Sequence, residues 1–270
     1  MCARLLRLLC AAVALIGLGA GACSTGSSTS AVATTARGSA VGHLTATGPV
    51  LVSAAASLTE AFQKGKVSLG AAQPGPRITY AFAGSNALAT QILQGSPADV
   101  FASADAANMR RLVAARLVDA PVTFARNKLE IAVAPGNPKH IAGLRDLAGP
   151  GVGVALEAQG VPAGDYTRQA LASAGVLVNP KSLETDVKSA ITKVTSGEAD
   201  AAVVYATDVA DVADGKVEGV GIPDAENVVA TYPIAVVEAT KNTAGAEVFV
   251  QSAMAGEIQR ALRAAGFLAP

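Results

Sequence analysis

The stretch VLVSAAASLTEAF, residues 50–62, sets the fold, because a short apolar run leads through small residues into a helical pattern. The same order returns in ITYAFAGSNALATQI at 78–92 and in PADVFASADAANMRRLV at 97–113. Near-continuous apolar runs are typical of strands that are buried on both faces. Strands of this kind that alternate with helices predict an α/β fold with mainly parallel sheets.

The same alternation continues to the end of the chain. The predicted strands are residues 50–53, 78–82, 100–102, 129–134, 153–156, 201–205 and 234–238. The predicted helices are residues 58–63, 86–94, 106–115, 166–174, 187–196 and 244–264.

Two extended segments, 127–134 and 231–238, are expected to cross between two lobes. Lobe 1 would contain residues 49–128 and 233–270, and lobe 2 would contain residues 129–232. Ligands of open α/β sheets bind at the carboxyl ends of strands, which places a ligand in the cleft between the lobes.

The N-terminus has the pattern of an export signal. Arg4 and Arg7 precede an apolar run, residues 8–22, that is shorter than the roughly 20 residues of a membrane-spanning helix. The run ends in AGAC, residues 20–23, which resembles a bacterial lipoprotein signal. That resemblance implies cleavage before Cys23, a lipid on this cysteine and a membrane anchor. An ordinary signal peptide with an incidental cysteine is the alternative.

Composition restricts the partners of the remaining chain. Removal of a signal peptide, residues 1–22, would take away Cys2 and Cys10 and leave Cys23 as the one cysteine. Residues 23–48 are rich in Ser, Thr, Ala and Gly, so we expect a flexible tether. The chain has 21 basic and 21 acidic residues, and loss of two arginines leaves a formal charge of −2. Without a basic cluster nucleic acid is a poor partner, and the lack of Trp disfavours a sugar-stacking site.

Several predicted helices begin beside polar or small residues that could bind an anion. Ser57 and Ser85 stand at helix starts, Ala163 precedes the next helix, and Val187 lies in the first turn of another. Free N–H groups and the positive end of the helix dipole make such starts anion sites. Tyr205, at the end of a strand, could add a phenolic donor. Each feature alone has a plainer interpretation, as a cap, a turn or a core residue.

The acidic residues near these starts are assigned to capping. Asp186 is predicted to be the N-cap of the helix at 187–196, and Asp105 the cap of the helix at 106–115. Asp99 and Asp105 are not placed on the ligand, because a carboxylate beside a divalent anion would repel it. We therefore expect a site of N–H and O–H donors with no carboxylate facing it.

The order of seven motifs resembles the molybdate-binding proteins of ABC importers over residues 49–270. The motifs are AAASLTEAF, FAGSNALATQI, GSPADVFASAD, VPAGDY, TDVKSAI, VVYATD and YPIAVVE. The resemblance implies a type II periplasmic-binding-protein fold of two lobes. It also implies that an oxyanion is held by two serines, two backbone amides and one tyrosine. Motif by motif these are Ser57, Ser85, Ala163, Val187 and Tyr205.

The resemblance also implies the ligand and the partners. The ligand is molybdate or tungstate, two anions of nearly the same size and charge, and neither a cofactor nor a bare metal ion is expected. The partners would be an importer permease, its ATPase through the permease, and the membrane through the lipid on Cys23. We expect a monomer.

An enzyme is the first rival class. Ser57 follows a strand, as a hydrolase nucleophile does, but the GxSxG pattern is absent. His43 lies in the tether and His140 in the loop PGNPKH, so no general base is evident.

A different ligand would also be compatible with a two-lobed fold. A zinc or iron site needs clustered ligands, and iron-binding proteins of this build use neighbouring tyrosines. The tyrosines of this chain are separated in sequence, at Tyr80, Tyr166, Tyr205 and Tyr232. Another oxyanion such as sulfate, and a sensory rather than a transport role, stay open.

Overall fold

The computed structural model describes residues 46–72, 75–212 and 215–270, with the side chains of 67–72 left aside. The expected signal peptide, Cys23 and most of the expected tether lie outside the described residues. All described residues belong to one packed unit. In this part of the chain, no helix is both long and apolar enough to span a membrane.

The strands of the described chain join into one continuous sheet. They are β1 (Pro49–Ala55), β2 (Arg77–Ala83), β3 (Val100–Ala102), β4 (Val122–Val133), β5 (Val154–Glu157), β6 (Ser182–Glu184), β7 (Ala201–Tyr205), β8 (Glu218–Gly221) and β9 (Val229–Val236). Their order is β2-β1-β3-β9-β4-β7-β5-β6, and β8 pairs with β4.

Strand direction divides this sheet into two halves. In the first half β2, β1 and β3 are parallel, and in the second half β6, β5 and β7 are parallel. The long strand β4 and its neighbour β9 run antiparallel to every strand that they pair with. The predicted α/β class with two parallel sets is therefore confirmed, and the two sets are connected by shared strands.

Strand β4 belongs to both halves. Its first part, from Val122 to Lys128, pairs with β9, and its second part, from Leu129 to Val133, pairs with β7 and β8. The predicted crossing segment 127–134 covers the second part of this strand, which begins earlier, at Val122. Strand β9 is the second link, because it pairs with both β4 and β3.

The helices flank the sheet. They are α1 (Thr59–Ala72), α2 (Ser85–Leu93), α3 (Ala106–Ala114), α4 (Pro162–Ala174), α5 (Val187–Thr195), α6 (Ala206–Asp211), α7 (Thr243–Ala255) and α8 (Glu257–Ala264). Short 3₁₀ turns at Ala56–Leu58 and Leu144–Ala148 complete the set of described helical elements.

One predicted helix, 244–264, is two helices in the structure. The break is at Gly256, whose backbone has φ −102° and ψ −147°. A Cβ at this position would lie 2.8 Å from the Cα of Ser252. The close approach and the extended backbone explain why a single amphipathic pattern is interrupted here.

The buried residues form two clusters that fix the helices on the sheet. The larger cluster runs through both halves and includes Phe62, Phe124 and Phe249, with the ring of Phe62 at 5.4 to 6.0 Å from the other two. The smaller cluster lies under α2 and α3 and includes Phe101 and Leu112. Burial of one such side chain contributes about 1.5–3 kcal/mol. Both clusters therefore stabilise the packing of the helices against the sheet.

Candidate ligand-binding site

A cavity of about 20 Å³ lies where the two halves of the sheet meet. Its lining residues are Ala55, Ala56, Ser57, Gly84, Ser85, Ala104, Glu157, Val161, Pro162, Ala163, Asp186, Val187 and Tyr205. The five sequence-predicted site residues are all among them. The volume is below the roughly 300–1,000 Å³ of pockets for drug-sized ligands, which favours a small ligand.

Three of the five residues stand at the starts of longer helices. Ser85 is the first residue of α2, Ala163 follows Pro162 at the start of α4, and Val187 is the first residue of α5. Backbone N–H groups of a first turn have no acceptor within their own helix. The three helix starts therefore direct free amides and positive dipole ends at one cavity.

The two serines come from the first half of the sheet and are almost fully buried, with 2% exposure for Ser57 and 1% for Ser85. Ser57 lies in the 3₁₀ turn that leads into α1, and its Oγ is 3.0 Å from the Tyr232 hydroxyl. The Oγ of Ser85 accepts the N–H of Ala104 at 3.0 Å. A hydroxyl that accepts one hydrogen bond keeps its own proton to donate, so Ser85 can donate into the cavity.

Tyr205 ends β7 with its side chain 1% exposed and its hydroxyl without a hydrogen-bond partner. Burial raises the pKa of this phenol well above its usual value, so it remains a donor. A buried polar group without a partner is costly, and a ligand in the cavity would supply the missing acceptor.

Two of the tyrosines that are separated in sequence are neighbours in three dimensions. The rings of Tyr205 and Tyr232 are 5.7 Å apart at 63°, because β7 and β9 both pair with β4. The hydroxyl of Tyr232 contacts Ser57. This contact was not predicted, because the sequence marks Tyr232 only as a strand residue. No group of three or more His, Cys, Asp or Glu side chains in the described chain could hold a metal ion.

Both predicted caps are present. The carboxylate of Asp186 accepts the N–H of Ser189 at 2.9 Å, and that of Asp105 accepts the N–H of Asn108 at 2.9 Å. Asp186 nevertheless lines the cavity. A residue that was assigned to capping alone therefore also borders the cavity.

Glu157 is the second acidic residue of the lining and was not among the residues predicted from the sequence. It ends β5 and is 2% exposed. Its Oε2 accepts the N–H of Gly164 at 3.2 Å, while its Oε1 has no partner. Burial, and then the charge of Asp208, raise its pKa well above the usual value. The signal in the sequence was an acidic residue at the end of an apolar strand, four residues before VPAG.

The two halves of the sheet touch each other around the cavity. Lys188 Nζ of α5 is 2.8 Å from Glu60 Oε2 of α1, and Asn108 Nδ2 of α3 donates to the carbonyl of Gly160 at 3.3 Å. Gly84 lies against the carbonyl of Thr185, since a Cβ on it would be 2.4 Å from that oxygen. These contacts join the two halves beside the cavity.

The lining lacks Lys and Arg. An arrangement of amides and hydroxyls without a cation can bind an anion through hydrogen bonds and helix dipoles. The fold, the small cavity between its two halves and the donors around that cavity together define the class of a two-part binding protein for a small ligand.

A family model for bacterial extracellular solute-binding proteins matches residues 50–268. The chain belongs to this family.

Within that family, similar sequences include molybdate-binding proteins. ModA of Mycobacterium tuberculosis strain H37Rv is 42% identical over 222 residues, which cover 82% of this chain and 85% of that protein. ModA of Escherichia coli K12 is 32% identical and covers 72% of this chain and 79% of its own length.

Solved structures share the fold. A substrate-binding domain ascribed to a molybdenum ABC transporter of Clostridium difficile has a TM-score of 0.63 at 28% identity and covers 83% of this chain and 99% of its own. The periplasmic molybdate-binding protein of Azotobacter vinelandii has a TM-score of 0.70 at 20% identity, with 82% and 99% covered. The sulfate-binding protein SubI of Mycobacterium tuberculosis also has a TM-score of 0.70, at 19% identity, with 82% and 86% covered.

Proposed function

We propose that this protein captures molybdate, or its near twin tungstate, outside the cytoplasm and delivers it to an ABC importer. The observation that carries the proposal is the convergence of Ser57, Ser85, Ala163, Val187 and Tyr205 on one small cavity. These are the residues that the motif order predicts for an oxyanion site. The names of relatives that are 32% and 42% identical support the same ligand.

The donors suit a fully deprotonated tetrahedral anion. Two serines that offer a hydroxyl and an amide each, two further amides and one phenol make about seven donors, each worth roughly 1.5–3 kcal/mol to a charged acceptor. The gross gain is about 10–20 kcal/mol, and association costs roughly 4–15 kcal/mol. Binding in the sub-micromolar range is therefore expected without a cation in the site.

The ligand would also hold the two lobes together. Ser57 and Ser85 belong to residues 49–128, which with 233–270 form the proposed lobe 1. Ala163, Val187 and Tyr205 belong to the proposed lobe 2, residues 129–232. A ligand that touches both lobes favours the closed state by its differential affinity.

The decisive experiment is calorimetric titration with molybdate, tungstate, sulfate and phosphate. We expect molybdate and tungstate to bind, and phosphate to bind far more weakly. Phosphate carries a proton near neutral pH, and this proton would face an N–H or O–H donor of the site. One of the two buried groups then lacks an acceptor, which costs roughly 1–3 kcal/mol. Equal competition by phosphate would contradict a donor-only ligand shell and assign an acceptor role to Asp186 or Glu157.

Sulfate is the second candidate ligand. It is a dianion like molybdate and has no proton to accommodate, and the sulfate-binding protein SubI has the same fold. Molybdate is the larger anion, so selectivity must come from the size of the cavity. Tighter binding of sulfate than of molybdate in the titration would replace the proposed ligand.

The proposed partners and location extend beyond the described residues. A lipid on Cys23 would tether the domain to the outer face of the cell membrane, and mass spectrometry of the membrane-extracted protein tests it. Delivery would involve the permease and, through it, the ATPase. Loss of molybdate uptake on deletion of the permease gene, with binding by this protein intact, would separate transport from sensing.

A further inference from the structure

Glu157 has no role in the donor set described so far, although it lies in the same cavity. Its carboxyl group is enclosed, and its two oxygens differ. Oε2 is satisfied by the Gly164 N–H at 3.2 Å, whereas Oε1 has no hydrogen-bond partner and is shielded from solvent. An ionised carboxylate in this position would leave a charged oxygen unsatisfied, which is costly in an enclosed site.

The acidic groups around Glu157 make a negative charge less favourable, and the N–H groups of Gly164 and Ala163 act in the opposite direction but more weakly than burial. Asp208 at α6 and Asp186 at the start of α5 both act on Glu157 through their charges, in the direction of protonation. Tyr205 of β7 is a neutral phenol beside it. Asp105, at the start of α3 in the other half, has its carboxylate bonded to Asn108.

The neighbouring cations are engaged elsewhere. Arg168 of α4 donates to the backbone carbonyl of Glu157 at 3.2 Å and lies 3.7 Å from Asp165. Lys188 of α5 pairs with Glu60 and Asp208. Neither cation is within ion-pair distance of the Glu157 carboxyl group.

The geometry points to Glu157 as a neutral carboxylic acid that donates the proton on Oε1 to the bound oxyanion while Oε2 accepts from Gly164. This inference rests on the proposed function and deepens it. An oxyanion offers only acceptors, so it is the partner that an O–H group in this position needs. The site would then contain one more donor than the motifs predict.

This role makes Glu157 a residue that determines specificity by protonation. A dianion with four bare oxygens accepts the proton of Glu157. A hydrogen phosphate brings a proton of its own, so the acid would have to ionise to accept it. When Glu157 ionises, its negative charge also faces the ligand, and a carboxylate beside an anion is repulsive.

The first test is infrared difference spectroscopy of the protein with sodium molybdate, at about pH 8 where Asp208, whose pKa is about 6, is ionised. We expect a carbonyl band of a protonated carboxylic acid, shifted by molybdate, that disappears in Glu157→Gln and persists in Asp186→Asn. A missing band, a band that molybdate does not move, or a band that disappears only in Asp186→Asn would overturn the inference.

The second test is calorimetric affinity for molybdate as a function of pH. Above the pKa of the Glu157 carboxyl group the wild-type affinity should fall by up to about tenfold per pH unit. Glu157→Gln keeps an N–H donor and has no proton to lose. Its molybdate affinity should therefore stay constant with pH, at the value that the glutamine amide gives. Wild-type binding without any pH dependence up to about pH 10, where phenols begin to ionise, would overturn the inference and leave the proposed function intact. An absence of molybdate binding at every pH would overturn the proposed function itself.

Discussion

Lys188 Nζ lies 2.8 Å from Glu60 Oε2 and so connects α5 of one half of the molecule to α1 of the other, beside the cavity. The same amine is 3.2 Å from Asp208, which is fully buried. Burial alone would lower the pKa of Lys188, but Asp208 and Glu60 raise it above its usual value. The lysine is therefore charged when the two halves are in contact.

Removal of the Glu60 carboxylate should weaken ligand binding without loss of stability. Glu60→Gln leaves the pair between Lys188 and Asp208 in place, removes the ion pair with Lys188 and also removes the negative charge that acts on Asp211. A partly exposed pair contributes about 0.2–1 kcal/mol, so molybdate affinity should fall by up to about fivefold at low salt. Glu257→Gln, which removes one side of the Glu257–Arg260 pair within α8, is the matched control. Equal losses in the two variants, measured by calorimetry, would remove Glu60 from this role.

Ser57→Ala tests the site itself. The substitution deletes one hydroxyl donor to an anion, worth roughly 1.5–3 kcal/mol, and should weaken molybdate binding by roughly 10- to 150-fold. Ser103→Ala is the control, because Ser103 is a fully buried serine that bonds to Asp105 and is not part of the cavity lining. A loss below about threefold in Ser57→Ala, on the same scale, would exclude this residue from the site.

Gly84→Ala tests closure of the two halves. The backbone of Gly84, with φ −58° and ψ 137°, is accessible to alanine. Its added Cβ would meet the Thr185 carbonyl at 2.4 Å only when the halves are in contact. A clash of about 1–3 kcal/mol should weaken molybdate binding by roughly 5- to 150-fold.

Solution scattering reports the same closure directly. Molybdate should reduce the radius of gyration of the wild type and of Gly221→Ala, in which the new methyl group meets nothing within 4 Å. In Gly84→Ala the reduction should be smaller. An unchanged wild-type profile at saturating molybdate would count against closure by the ligand.

Asp208 should make stability depend on pH. Burial, opposed in part by Lys188, raises the pKa of its carboxyl group from 3.8 to about 6. The folded state then binds the proton more tightly than the unfolded state, so the stabilisation is complete below about pH 4 and is lost as pH rises through about 6. Relative to Asp208→Asn, the wild type should lose up to about 3 kcal/mol over this interval. Urea titrations of both proteins at several pH values measure it, and parallel curves would show that Asp208 does not titrate there.

Much of this architecture could be predicted because local pattern and tertiary structure agree. The strand at Ala201–Tyr205 and the helix starts at Ser85 and Val187 were found within one residue. In each case an apolar run or a capping residue gives a strong local signal. The strands β6 and β8 were missed, because each is short, and Glu218–Gly221 contains two glycines that weaken its strand pattern.

The rest of the site depends on contacts between distant parts of the chain. Tyr232 reaches Ser57 across 175 residues, and Glu157 meets the start of α4 only because β5 ends beside it. Neither residue stands at a helix start, so a search of the sequence for helix starts does not identify them. A buried carboxyl group also needs knowledge of its surroundings before its charge can be assigned.

The late position of β9 in the chain determines when β3 can complete its strand pairing. Strands β4 to β8 come from one continuous stretch between residues 122 and 221, so all their mutual pairings can form before β9 is present. Strand β3, in contrast, obtains its second neighbour only from β9, more than a hundred residues later. Until β9 arrives, the edges of β3 and of the first part of β4 are open to pairing with other chains. A product that ends before residue 229 would therefore expose two unpaired strand edges, which favours aggregation.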